Sequence, residues 1–245
     1  SVALGMIGSM QWSFNWLRTV PAEKIQQISD ATCDLLINGL VNSEQVHSFG
    51  DFDFPPLSPA APQGFDREEQ NRMKQDAFFK TGTWFFNKKG FVGTSLDEIA
   101  ETLNVTKGAF YYHIKSKEDL LYSCYMRSLN ISARLHENST ELGSGLDRLD
   151  YICRGTFHFQ NSDDGPMIRY NSITALPIPR RKEILALTDT GNNRFGQVMR
   201  DGIEDGSVRP VDVETAQELI SGAINASMDL PLWRKIDDVD AASRD

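Results

Sequence analysis

Cysteine is scarce in this chain: Cys33, Cys124 and Cys153 are the three in 245 residues, widely spaced and without a CxxC pair. That spacing excludes a disulfide framework and a zinc knuckle, and reads as reduced, mostly buried intracellular thiols. Runs of alternating β-branched residues are missing, so strands are not expected, and helical spacing follows helical spacing throughout. No hydrophobic run is long enough for a bilayer. The most apolar window, Val2 to Leu17, is broken by Ser9, Gln11, Ser13 and Asn15, and it lacks the basic start and cleavage site of a signal peptide. Positive charge is in deficit, with a net charge of -9 and a pI near 5.0. This rules out a uniformly basic nucleic-acid coat but leaves room for a local basic surface. The expectation is a cytoplasmic protein with no membrane contact, no metal and no cofactor.

What is present is a succession of amphipathic helices, so the fold class is all-α. Residues 2–18 read as one helix buried on most sides. Pro21 and Glu23 open a second, reaching about Leu40, with Ile25, Ile28, Cys33, Leu36, Ile37 and Leu40 as its apolar face. From 42 to 65 the composition changes. Pro55, Pro56, Pro59 and Pro62 prevent a helix and predict a semi-rigid linker. Phe49, Phe52, Phe54 and Phe65 in or beside it suggest that parts of it dock on a surface. Phe78, Phe79, Gly82, Phe85 and Phe86 then share one face of a helix ending near Lys89-Gly90. Ser95-Leu96-Asp97-Glu98 has the form of a capping box. Asn104-Val105 makes a turn, Thr106 caps a short helix, and Ser116 to Asp119 opens a long one with acid in its first turn. Amphipathic stretches follow at about 146–160, 166–175, 179–205 and 212–233.

Two short helices joined by a tight turn form a helix-turn-helix, whose second helix presents its N-terminal residues to the major groove. In NVTKGAFYYHIKSKEDLL, residues 104–121, Phe110 and Ile114 face inwards with Leu103, which leaves Lys107, Gly108, Tyr111 and Tyr112 outside. Glycine costs about 1 kcal/mol in a helix relative to alanine, and Gly108 makes sense where a backbone must approach DNA closely. From Arg72 to Lys117 there are eight basic residues against four acidic, a local net charge of +4 in a molecule at -9. Cations here supply positioning and salt-dependent affinity, and Lys107 with its neighbours supplies base readout. Taken singly, His113 is an ordinary surface or packing histidine and Tyr111-Tyr112 an ordinary half-buried pair. Their order and spacing together carry the assignment.

At these residues the sequence resembles the tetracycline-repressor (TetR) family of transcription regulators. GFVGTSLDEIAETLNVTKGAFYYHIKSKEDLL matches its DNA-binding signature at Gly90-Phe91, Thr94-Ser95, Ile99-Ala100, the Val-Thr-Lys-Gly turn, Tyr111 to His113 and Ser116-Lys117-Glu118. The resemblance implies phosphate contacts from Thr94, Tyr111, His113 and Lys117. It implies groove contacts from Thr106, Lys107, Gly108 and Tyr112, with Ser95 beside them. Gly82, Thr83 and Ile114 depart from the family's usual residues and are packing changes. The resemblance also implies a double-stranded DNA operator as partner, a helical effector and dimerisation domain after the motif, and no enzymatic activity.

Family members carry the motif at the N-terminus, whereas here 65 residues precede it. Setting Gly8 on Gly222 matches Met10 with Ile224, Gln11 with Asn225, Ser13 with Ser227, Phe14 with Met228 and Asn15 with Asp229. The expectation is a fragment of a tandem protein. Residues 1–41 are then the last two helices of a preceding TetR-like repeat, 42–65 a linker, 66–122 the DNA-binding domain and 123–245 the effector and dimerisation domain, truncated at its C-terminus. The family's four-helix dimer interface would form between two copies or, as a pseudo-dimer, within one chain through the C-terminal helices. The alternative is that 1–41 is an N-terminal helical extension.

Tyr151, Arg154, Phe157, His158, Met167 and Tyr170 are candidates to line a pocket for a small, mostly apolar effector. Aromatic stripes at helical spacing are also ordinary core. Two other functions compete with a ligand-responsive regulator: a TetR-like interaction module that has lost DNA binding, and an enzyme using His158 with Asp163 or Asp164.

Overall fold

The computed structural model describes residues 2–42, 50–57, 67–232 and 235–244, so Phe49, Pro59, Pro62 and Phe65 of the linker lie outside the described residues. The helices are α1 (Val2–Trp16), α2 (Ile25–Asn38), α3 (Arg67–Gly93), α4 (Leu96–Thr102), α5 (Lys107–His113), α6 (Lys117–Ser139), α7 (Gly145–Asn161), α8 (Ile178–Glu204), α9 (Val213–Ala226) and α10 (Val239–Ala242). Short 3-10 turns lie at Tyr170–Ala175 and Ser227–Leu232, the first of them on the stretch read from sequence as amphipathic helix. No strand occurs among the described residues. An isolated antiparallel bridge joins Val41 to Val208. The all-α class is what the structure shows.

The chain divides into two compact units that do not follow chain order. One comprises Phe54–Ile131 and Ser162–Asp189, the other Ser1–Asp53, Ser132–Asn161 and Thr190–Asp245. Helices α6 and α8 contribute to both.

In the first unit the aromatic face of α3 closes on α4, α5 and α6. Phe78, Phe85, Phe86, Ile99, Phe110, Leu120, Leu121 and Tyr125 are all buried in one cluster. Each such side chain stabilises the fold by about 1.5–3 kcal/mol. Gly90 (φ +68°) breaks the helical course of α3, because only glycine takes that conformation without strain. Gly82 has a packing reason: a Cβ there would lie 2.9 Å from Leu120 Cδ2. Buried Arg127 donates to Asp76 Oδ1 and to the Asp164 carbonyl, both at 2.6 Å, tying α6 to α3 and to the loop after α7. Phe54 is buried and the Leu57 amide donates to Asp164 Oδ2, so this part of the linker docks as its aromatic content suggested.

In the second unit Leu146, Leu149, Ile152, Phe195, Val198, Met199, Val208 and Ala216 form the core, with Leu35, Leu40 and Ile220 packed against it. Helix α1 crosses α9 closely. Ser9 Oγ donates to the Leu219 carbonyl at 2.7 Å, and Trp12 Nε1 to Glu218 Oε2 at 2.7 Å. Arg209 pairs with Asp34 and donates to the Gly39 carbonyl, anchoring the end of α2. The sequence expectation that residues 2–18 are buried on most sides fails: Met6, Ile7 and Met10 are exposed, at 40%, 51% and 67%. Helix α2 buries none of its residues, and Ile25, Leu36 and Ile37 of its apolar face stand open. Amphipathic spacing identifies an apolar face but does not say whether the chain itself covers it.

Candidate DNA-binding surface

The site is built on α4, the turn and α5. Asn104 takes φ +52° at the turn, and the Val105 amide returns to the Ala100 carbonyl at 3.0 Å. Asparagine tolerates that left-handed conformation better than most side chains. Thr106 caps α5, its Oγ1 accepting from the Ala109 amide at 3.2 Å. Phe110 is fully buried with its ring 5.0 Å from that of Phe78, and Ile114 is 4% exposed. The inner side of α5 is thereby fixed to the bundle.

The outer side is open. Thr106, Lys107, Gly108, Tyr111 and Tyr112 are all exposed, Tyr112 at 75%. A Cβ at Gly108 would meet nothing within 4 Å, so no internal packing demands glycine there. His113 is half-buried between the rings of Phe78 and Tyr112, at 5.7 and 5.0 Å. Lys115 donates to the Tyr112 carbonyl at 2.9 Å and lies 5.6 Å from its ring. Lys117 donates to the Thr94 carbonyl at 2.9 Å, over the face of Phe91.

Two side chains stand differently from the sequence reading. The Thr94 hydroxyl is turned inwards, donating to the Gly90 carbonyl at 2.7 Å, and the residue is 3% exposed. Ser95 is the N-cap of α4 but makes no side-chain cap hydrogen bond, so the expected capping box does not form. Glu98, its would-be partner, instead takes Lys89 Nζ on both oxygens at 3.1 Å. A charge-assisted pair outcompetes a backbone amide for the same carboxylate.

Asp97, which the sequence places only within that box, does more. Its Oδ2 lies 2.5 Å from Lys107 Nζ and its Oδ1 3.3 Å from the Tyr111 hydroxyl. The hydrogen bond from Lys107 holds the Asp97 carboxyl below its ordinary range, and the same bond raises the Lys107 ammonium. The sequence signal was an acid in the first turn of α4, but its partners ten and fourteen residues away are brought to it by the turn.

The proposed effector-pocket residues fall in different units. Tyr151, Arg154, Phe157 and His158 lie on α7 in the second, and Met167 and Tyr170 belong to the first. Each of the four polar ones has a protein partner. The Tyr170 hydroxyl bonds Thr188 at 2.5 Å, and His158 Nδ1 bonds Asp240 at 2.7 Å. Tyr151 lies edge-on to Phe52, and Arg154 is buried against Gly50, Ser243 and Phe52. No group of three metal-ligating side chains occurs among the described residues, and no helix there is long and apolar enough to cross a membrane.

An all-α chain with one helix of a helix-turn-helix locked inwards and its basic, aromatic side open is a DNA-binding regulator by architecture. The comparisons with known proteins agree. Residues 82–124 match the family model "Bacterial regulatory proteins, tetR family", and 143–229 match "Tetracyclin repressor-like, C-terminal domain", together over half of the chain. The chain belongs to the tetR family of transcriptional regulators. It is 23% identical over 157 residues to the transposon Tn10 TetC protein of Escherichia coli, covering 64% of this chain and 79% of that one. Over 69 residues it is 28% identical to IcaR of Staphylococcus epidermidis, the negative transcriptional regulator of a biofilm operon, covering 26% of this chain and 37% of IcaR. The fold matches that of AibR in complex with isovaleryl coenzyme A and operator DNA, with a TM-score of 0.56, 20% identity, and 69% and 96% of the two chains covered.

Proposed function

We propose that this chain is a cytoplasmic, ligand-responsive repressor whose α5 enters the major groove of a double-stranded operator. The observation that carries this is the two-sidedness of α5: Phe110 and Ile114 are buried while Lys107, Gly108, Tyr111 and Tyr112 stand exposed. Thr106, Lys107, Gly108 and Tyr112, with Ser95 beside them, face bases. Tyr111, His113 and Lys117 bind phosphate, and Thr94 joins them only if its hydroxyl leaves the Gly90 carbonyl. Both Lys107 and Tyr111 leave Asp97 to do this, Lys107 for a base edge and Tyr111 for a phosphate. Residues 66–122 serve as the DNA-binding part, and 123–245 as the part that receives a small, mostly apolar effector. His158 is engaged by Asp240, and the Asp164 carboxylate accepts from the Leu57 amide, which favours the regulator over an enzyme pairing His158 with Asp164.

The packing of α1 on α9 supports a pseudo-dimer within one chain. A two-fold axis makes contacts reciprocal, so that if i meets j, the equivalents of j and i also meet. With Gly8 equivalent to Gly222, three relations hold. Gly8 meets Gly222 itself. A Cβ on Gly8 would strike Ala226 Cβ, as one on Gly222 would strike Trp12 Cβ. Ser9 reaches Leu219, as Gly5 meets Ala223. The weak sequence match thus corresponds to a symmetric crossing, as expected if 1–41 derive from a preceding repeat.

Selecting bound duplexes from a random pool with the intact chain tests both readings. A selected motif lost on Tyr111→Ala with Lys117→Ala supports the regulator, and absence of any enriched sequence at low salt overturns it. Two half-sites centred about 34–36 Å apart would mean that two heads act together; a single half-site would mean that one chain acts alone.

A further inference from the structure

The linker segment Gly50–Asp53 lies on the α7 residues assigned to the effector. Arg154, 4% exposed, donates from Nη1 to the Gly50 carbonyl at 2.6 Å and from Nε to Ser243 Oγ at 3.1 Å. The Phe52 ring covers its guanidinium at 4.9 Å and meets Tyr151 edge-on at 5.2 Å. Asp51 pairs with Arg244, and Asp150 lies 3.6 Å from Nη1 of Arg154. Arg154 Nη2 is buried without a hydrogen-bond partner among the described residues. The guanidinium is thus held by a carbonyl at Nη1 and a hydroxyl at Nε and left unmatched at Nη2, whereas a carboxylate satisfies Nη1 and Nη2 at once.

We propose that Gly50–Asp53 is an internal occupant of the effector site, and that the effector is an apolar carboxylate that displaces it. The inference rests on the effector reading of α7 given above. The segment offers one carbonyl to Arg154, one carboxylate to Arg244 and one phenyl ring to Tyr151. A ligand bearing an aryl or alkyl group and a carboxylate replaces the carbonyl and the ring, restores the charge that Asp51 removes on leaving, and releases Arg244 to solvent. Its carboxylate takes Nη1 and Nη2 of Arg154 together, and its apolar part takes the place of Phe52 against Tyr151. Because the site is open only while the segment is off, the apparent affinity is the intrinsic affinity reduced by the open fraction. The linker therefore sets the effector concentration to which the protein responds.

Titration of the full chain and of Phe52→Ala with 3-phenylpropionate and with octanoate tests this. Phe52→Ala is expected to bind at least one of them about tenfold more tightly than the wild type, as follows when a segment closed about nine-tenths of the time is released. Hydrogen exchange on the unaltered chain needs no variant: amides of 50–53 should exchange faster when the carboxylate is added. Equal affinity of the two proteins, with no change in exchange, overturns the internal occupant while leaving the effector reading intact. If neither carboxylate binds either protein but another apolar compound releases DNA, the carboxylate class is overturned. If no compound of a broad apolar panel binds or releases DNA, the effector reading itself falls, and this inference with it.

Discussion

Asp97 holds Lys107 and Tyr111 in the DNA-free protein, at 2.5 and 3.3 Å, on the face where a phosphodiester would come. If Lys107 and Tyr111 meet DNA as proposed, the Asp97 carboxylate both positions these groups and competes with DNA for them. Asp97→Asn keeps an acceptor and removes the charge, so operator affinity should rise several-fold at low salt, and the gain should shrink as salt screens it. Fluorescence anisotropy at two ionic strengths checks this. Unchanged or weaker binding would mean that the pair stays closed on DNA. The residues of this surface were legible from sequence because a cap, a turn and two inward apolar anchors fix the face of a seven-residue helix. Asp97 was not, because its role depends on a distance across the turn. A second residue-scale prediction concerns His136, whose burial, with Arg194 and Arg148 nearby, lowers its pKa to about 4. The folded form resists a proton that the unfolded chain accepts near pH 6.5. Between about pH 6.5 and 4 the unfolded chain binds more protons, so stability falls as pH falls, by an amount on the order of 1–3 kcal/mol at the acid end. His136→Phe should flatten this slope in urea unfolding at a series of pH values. An unchanged slope would assign the acid sensitivity to carboxylates instead.

At the scale of helices, caps and glycines separate stability from binding. Thr106 caps α5 through its hydroxyl and Ser95 makes no such bond on α4. Thr106→Ala should therefore cost about 1 kcal/mol, and Ser95→Ala a few tenths. Comparison of the two midpoints in denaturant decides it, and equal losses would mean that Ser95 caps in solution. Gly108 has open space where a side chain would go. Gly108→Ala should stabilise the fold by up to about 1 kcal/mol and yet weaken operator binding. A variant that is more stable and binds as well would remove the argument for close backbone approach. Helix positions were legible because spacing and caps are local. The failure at Ser95 has a physical cause: Glu98 found Lys89, a partner on another helix. The expected burial of residues 2–18 on most sides fails for a related reason. Hydrophobic spacing marks an apolar face without saying what covers it, and Met10 and Ile37 are left exposed by the described residues.

In the unit that contains α1 and α9, the two glycines set on one another by the internal sequence match, Gly8 and Gly222, lie in contact. Gly8 and Gly222 meet at the crossing, and each stands where a Cβ would collide with the opposite helix: Gly8 with Ala226 Cβ at 2.2 Å, and Gly222 with Ser9 Cα at 2.7 Å. Such approach needs glycine on both helices. Gly8→Val should force α1 away from α9 and cost about 1–3 kcal/mol or more, the range for overpacking a close contact. Gly5→Ala, whose new Cβ would lie 3.6 Å from Ala223 Cβ, is the control and should be nearly neutral. Hydrogen exchange of residues 213–226 reports the outcome directly, because those amides lose protection only if α1 leaves. Should Gly8→Val leave them as protected as in the wild type, α1 is not seated on α9 in solution and the pseudo-dimer is lost. If protection falls in Gly8→Val and persists in Gly5→Ala, α1 acts as a built-in half of a helical interface, which the chain would otherwise have to obtain from a second copy.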